Sequence, residues 1–189
     1  MDCAIFAAGD GTFSARRWRT TGKGNSRNSF WALLFLGYCA LMLYLLFVRT
    51  RAVIEGLTYW EQIEKNCNFI PWHTVGNYWD ILTRPEYYIQ KWEAESVYHY
   101  QAIIALINIL GNIGMFVPFG AFLPAMWPKL QRAWKAIPVG LLSIVLVEIC
   151  QLLTLRGRCD IDDVLLNVIG ISLGYGLWRL CWFCRRKRR

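Results

Sequence analysis

Four stretches of the chain are long enough and sufficiently free of charge to cross a bilayer, and they set its architecture before any motif is considered. A hydrocarbon core roughly 30 Å thick takes about 20 residues of helix at 1.5 Å rise per residue. Phe30 to Val48 holds no charge and ends at Arg49. Residues 102–127 are also uncharged, but Pro118 and Pro124 interrupt them, which predicts a kink or an early end. Residues 136–155 carry one charge, Glu148, and residues 164–183 carry one, Arg179, near enough to the end for its head to reach water. The pattern predicts an all-α polytopic membrane protein, a bundle of four transmembrane helices with an outer interfacial loop. Its parts are a disordered segment 1–29, a membrane domain 30–183 and a basic tail 184–189.

Composition agrees with that reading. The 189 residues are 56% hydrophobic and 18% charged, whereas a water-soluble domain usually carries about a quarter charged residues. The net charge of +8 would invite a nucleic-acid partner, but a mean hydropathy of +0.28 argues against a soluble one. Membrane lipids are the expected surroundings. The basic residues also predict orientation. Arg16, Arg17, Arg19, Lys23 and Arg27 precede the first span, Lys129, Arg132 and Lys135 separate the second from the third, and Arg185 to Arg189 form the tail. The opposite side receives seven Lys or Arg but ten Asp or Glu, so the positive-inside rule puts both termini in the cytoplasm, with Arg49 and Arg51 opposing. The 29 mostly polar residues ahead of the first span predict a retained helix rather than a cleaved signal.

Polar side chains in the spans all fall in the predicted outer half. Asn108 and Asn112 lie about 9 to 15 Å in from Ala102 by helical rise. Glu148 and Gln151 sit shortly before the outer end of the third span, and Asn167 shortly after the start of the fourth. The spacings Asn108/Asn112, Glu148/Gln151 and Asp163/Asn167/Gly170/Gly174 each place a set on one helix face. Gly170 and Gly174, with Gly111 and Gly114 expected opposite, would let backbones approach closely. The faces are expected to converge on an outward-opening cavity.

Each of these residues has a structural reading beside the functional one. Asn108 and Gln151 read as interhelical glue, worth about 1 kcal/mol or less apiece. Asp160, Asp162 and Asp163 can cap the fourth helix, since carboxylates suit free amides and the positive end of its dipole. A third acid beside Arg156 and Arg158 exceeds what a cap needs and favours a site. An unpaired Glu148 costs on the order of 2 to 3 kcal/mol on insertion scales, so it is either a functional group with Arg158 as partner or a neutral carboxyl bonded to Asn112 or Asn167. His73 and His99 read as incidental. Among the seven cysteines only Cys181-x-x-Cys184 has a motif spacing, and it supports neither metal nor redox work. Cys67 and Cys159 share the outer face, where two free thiols are favoured over a pair. The segment 49–101 is rich in Trp and Tyr and reads as short amphipathic helices lying on the membrane, broken at Pro71 and Pro85 and roofing the cavity.

Assembled in order, these pieces resemble the VanZ-like membrane proteins. The resemblance is carried by Asn68-Phe69-Ile70-Pro71-Trp72, by Asn108-Ile109-Leu110-Gly111-Asn112 running to Phe116-Val117-Pro118-Phe119-Gly120, by Ser143, Glu148 and Gln151, and by Arg158-Cys159-Asp160-Ile161-Asp162-Asp163 continuing through Asn167, Gly170 and Gly174. It covers roughly residues 30–178, and departs at Trp72, where the family usually has Phe, and in the long amino-terminal extension. The resemblance implies a four-span fold in the bacterial plasma membrane and an envelope context. The founding member is associated with low-level resistance to the lipoglycopeptide teicoplanin, and the resemblance supplies no reaction.

Two functions follow as expectations. One is a cell-envelope protein that alters glycopeptide susceptibility or handles envelope lipids, with a lipid-linked cell-wall precursor or the antibiotic as partner and Asn108, Asn112, Gln151, Arg158 and Asn167 lining the ligand site. The other is a membrane hydrolase or transferase acting on a lipid-linked phosphate or glycan. It would use Glu148 as acid or base, Arg158 as anion holder and a divalent cation on Asp160, Asp162 and Asp163. The chain shows no nucleophile for it. A small transporter ranks third, because four spans enclose a path only in an oligomer, a state on which the sequence is silent.

Overall fold

The computed structural model describes residues 22–48 and 55–187, with side chains from residue 29 onward in the first helix. The predicted disorder over residues 1–21, and Arg49 and Arg51, lie outside these. Four helices are long and apolar enough to cross a membrane: α1 (Gly22–Val48), α5 (Glu95–Met126), α6 (Ala133–Leu153) and α7 (Ile161–Lys187). α1 takes in residues 22–29, assigned from sequence to the disordered segment, because extending a helix already nucleated by its apolar run costs little. Between α1 and α5 come α2 (Tyr59–Lys65), α3 (His73–Thr83) and α4 (Pro85–Trp92), the short helices expected there. Thr58 and Glu61 close α2 with a capping box, and Pro85 opens α4 at a position where its missing amide costs nothing.

Leu33, Leu36, Leu106, Leu110, Leu142, Leu146, Leu173 and Leu180 are exposed on the flanks of the bundle. Outward apolar surface on that scale suits acyl chains and not water. The bundle interior holds Met42, Phe116, Phe119, Leu123, Ile144 and Ile171. Phe35 extends this core by stacking on Phe119 and meeting Phe122 and Trp127 edge-on.

α5 starts at Glu95, ahead of the predicted span at residue 102, and at about 48 Å the helix outreaches a bilayer core. Pro118 and Pro124 do not end α5. Their missing amides leave the Gly114 and Gly120 carbonyls without the usual helical donor, which a helix packed among neighbours tolerates; next to the first of these, the Tyr38 hydroxyl of α1 donates to the Met115 carbonyl.

Small residues bring α5 and α7 together, though not the expected pairs. A methyl group added at Gly170 would lie 2.2 Å from the Ile113 carbonyl oxygen, one at Gly174 1.9 Å from that of Val117, and one at Gly120 2.1 Å from that of Ile171. Gly111 and Gly114 face open space instead, because the α5 surface that meets α7 runs from Ile113 through Gly120. Gly140 of α6 makes room for the Ile171 side chain, which is fully buried between the three helices.

Outside the helices, Cys67–Asn68 (β1) and Cys159–Asp160 (β2) form a two-residue parallel bridge, with Cys67 opposite Cys159 and Asn68 opposite Asp160. It joins the segment after α1 to the turn before α7, so both lie at one end of the bundle. The Tyr59 hydroxyl donates to the Leu153 carbonyl at that end, satisfying a group that α6 leaves open.

Gly174→Val places a side chain where the α5 backbone runs and is expected to cost roughly 1–3 kcal/mol or more. Gly176→Ala, with nothing within 4 Å, is expected to be neutral. Membrane abundance and thermal unfolding in detergent check the pair; equal behaviour of the two variants would refute the close α5–α7 seam.

Candidate functional site

The acids before and within the first turn of α7 act chiefly as a clamp on the segment between α1 and α5. Asp162 is fully buried, and its carboxylate accepts the backbone amides of Trp72, Thr74 and Val75 at 2.5, 2.8 and 3.0 Å. Asp160, 1% exposed, accepts the Thr74 hydroxyl at 2.6 Å, the Asn68 amide at 3.2 Å and the backbone amide of Asp162 at 3.0 Å. Residues 68–75 are thereby fixed over the start of α7. Trp72 takes a left-handed conformation at φ 63°, a strained position for a bulky side chain, and its amide bond to Asp162 helps hold it there.

Beneath the clamp lies a closed polar layer. Glu148 is 5% exposed and Asn167 3%, and Glu148 Oε2 and Asn167 Oδ1 have no hydrogen-bond donor among the described residues. Asn112 donates to Asp163 at 2.6 Å, joining α5 to α7. Asp163 and Asp160 are close enough for their charges to act on Glu148. Arg158 acts on Asp163, not on Glu148 as expected, and forms no ion pair; the ion pairs among the described residues are Arg84–Asp80 and His99–Glu95. Asn108 and Gln151 are glue: Asn108 donates to the Tyr78 hydroxyl of α3, and Gln151 to the Leu46 carbonyl in the last turn of α1. The Gly157 amide and that of Arg156 return to the Gln151 carbonyl, so the turn after α6 folds over this residue.

Of the groups expected to line an outward-opening cavity, Glu148, Gln151, Asp160 and Asn167 are buried. Two cavities, of about 350 and 410 Å³, lie at the other end of the bundle, lined by groups such as Lys129 and Trp127. Nor do the three acids fit a divalent cation. Donors already occupy the oxygens of Asp160 and Asp162, and no cluster of three or more His, Cys, Asp or Glu among the described residues can hold a metal. Sequence reasoning missed Thr74, and it read Tyr78 only as one of the interfacial aromatics of residues 49–101, not as the partner of Asn108. The only signal for Thr74 was its place two residues after the Pro71-Trp72 turn. Cys67 and Cys159 are free although paired in register, and burial, with the charges of Glu148, Cys67 and Asp160 behind it, pushes the Cys159 thiol up from its ordinary range.

Four apolar spans, a sealed layer of carboxyl and amide groups near one end, and a strand-and-carboxylate clamp above it define a polytopic helical membrane protein built around buried acids. No curated protein and no solved structure matches the chain. It belongs to the family described as VanZ/LLP1, which it matches over residues 35–182.

Asn at position 162 keeps one acceptor oxygen and turns a donor toward amides that need an acceptor. Asp162→Asn is therefore expected to cost about 1–3 kcal/mol, and Asp163→Asn, which accepts one bond from Asn112, less. Thermal unfolding of the purified variants in one detergent checks the order, and a neutral Asp162→Asn would remove the clamp.

Proposed function

We propose that the protein works in the bacterial plasma membrane as a cell-envelope factor. In this reading the layer around Glu148 and Asn167 receives hydrogen-bond donors from an envelope lipid, a lipid-linked wall precursor or a glycopeptide antibiotic, altering teicoplanin susceptibility or envelope-lipid handling. One observation carries it: two acceptor oxygens, Glu148 Oε2 and Asn167 Oδ1, are buried without a donor. Such groups are costly to leave unpaired, and a ligand hydroxyl or ammonium would satisfy them. In this reading residues 68–75, pinned to Asp160 and Asp162 at the same end of the bundle, lift for a ligand to enter. Membership of the VanZ/LLP1 family supports the envelope context. The hydrolase or transferase alternative is weaker, because the acids that would hold its metal are committed to the clamp.

Glu148→Gln separates a charged or titrating group from a polar spacer, since Gln keeps shape and hydrogen bonding but does neither. The variant is expected to insert and accumulate normally while losing most of its effect on teicoplanin susceptibility. Immunoblots of membranes and susceptibility tests on the same cells measure both, with Glu148→Ala as the destabilised control. A variant equal to wild type in both assays would make Glu148 structural.

The proposed orientation has both termini in the cytoplasm and residues 55–101 outside. Cys159 is a poor reporter, because its half-buried, raised thiol reacts slowly. In a cysteine-free chain, exposed Glu86→Cys of α4 is expected to react with an impermeant maleimide on intact cells, and Gln131→Cys only after permeabilisation. The reverse pattern would invert the bundle.

A further inference from the structure

At the end of the bundle away from the polar layer, the turn between α5 and α6 and the last turns of α7 enclose a cavity of about 350 Å³. Its walls carry four cations, Lys129, Arg132, Lys135 and Arg179, and two indoles, Trp178 and Trp182. Among the described residues none of the four cations has a carboxylate within ion-pair distance, and Arg179 lies 3.5 Å from the Tyr175 hydroxyl. That hydroxyl donates to the Gln131 carbonyl at 2.9 Å, so the turn that presents Lys129 and Arg132 is tied to α7. The indoles stack at 6.4 Å, as amphipathic rings do where acyl chains meet headgroups.

A second cavity of about 410 Å³ adjoins it, and the two share Lys129. Beyond Lys129, the second is lined by the apolar Phe35, Phe119, Leu123, Trp127, Leu130 and Val139, with Ser143 as its one small polar side chain. The short 3-10 turn Pro128–Leu130 contributes to both walls. A cationic pocket at the membrane interface beside an apolar groove has the two-part chemistry of a single lipid molecule.

We propose that this is a binding site for an acidic phospholipid, with its phosphate among Lys129, Arg132, Lys135 and Arg179 and one acyl chain in the groove against Phe35 and Leu123. Unpaired cations gathered in a pocket attract phosphate more strongly than cations scattered over a surface, and basic pockets between membrane helices select anionic headgroups. The groove adds tail burial, which a dissolved phosphate cannot exploit. The site uses none of the residues of the Glu148 layer, so either can fail alone.

Native mass spectrometry of the purified full-length protein, titrated with dioleoyl-phosphatidylglycerol, dioleoyl-phosphatidylcholine, glycerol 3-phosphate or inorganic phosphate, tests it. The acidic lipid is expected to bind at least about tenfold more tightly than the other three, and roughly fivefold more weakly for each cation removed in Arg132→Gln, Lys135→Gln and Arg179→Gln. Arg132→Lys should retain binding, which shows that charge rather than fold was lost. Arg185→Gln, outside the pocket, should match wild type, and Ser143→Phe, which fills the groove, should weaken lipid binding alone. Equal binding of phosphatidylcholine would overturn the charge selectivity. Equal binding of inorganic phosphate would make this a free-phosphate site, and loss of binding in Arg185→Gln to the same degree would reduce it to general surface attraction.

Discussion

Asp162 has no contact with solvent, and a carboxylate in that position survives only if donors replace the water it gave up. Three consecutive-segment amides, from Trp72, Thr74 and Val75, supply them. This exchange is what joins the connection after α1 to the start of α7, and much of the upper end of the bundle hangs from it. Asp160 repeats the arrangement with side-chain donors, and the Cys67–Cys159 bridge sets the register in which both acids find their partners. The left-handed backbone at Trp72 is an expense of that geometry, offset by charge-assisted hydrogen bonds.

With that end fixed, the rest of the bundle is organised by how closely α5 and α7 approach. Gly120, Gly170 and Gly174 let backbone meet backbone, and the same approach brings Asn112 within 2.6 Å of Asp163. In lipid there is little hydrophobic drive between helices, so close packing and interhelical hydrogen bonds carry the association. Gln151 and Tyr38 extend this to α1, the most lipid-exposed span, through bonds to the Leu46 and Met115 carbonyls. The amides that looked like ligands from their position are largely committed to these joints. What remains uncommitted in the layer is Glu148 and Asn167, which is why they carry the functional proposal.

The two ends of the molecule differ in electrostatic character. One buries Glu148, Asp160 and Asp162, with Asp163 half-buried beside them, and the other opens a pocket lined by four cations. A bundle polarised in this way has a preferred orientation in a membrane whose surfaces differ in charge.

Hydropathy alone determined the four spans and the helical class, because apolar runs of bilayer length have few other uses, and the Trp, Tyr and Pro content of residues 49–101 pointed to the short helices there. Spacing also found the polar side chains within the spans, Asn108, Asn112, Glu148, Gln151 and Asn167, since charge and amide groups are rare in such runs. Sequence could not decide which of them bond to one another. Asp160 and Asp162 looked like ligands or caps until residues 68–75, some ninety positions earlier, were seen to donate to them. Gly111 and Gly114 looked like a packing face, but helix rotation, which is set by neighbours rather than by local spacing, turned Gly120 toward α7 instead. Prolines that stop an isolated helix were carried through in α5, which is packed among its neighbours. Partner choice and helix rotation depend on contacts between distant segments, and those are decided only when the bundle closes.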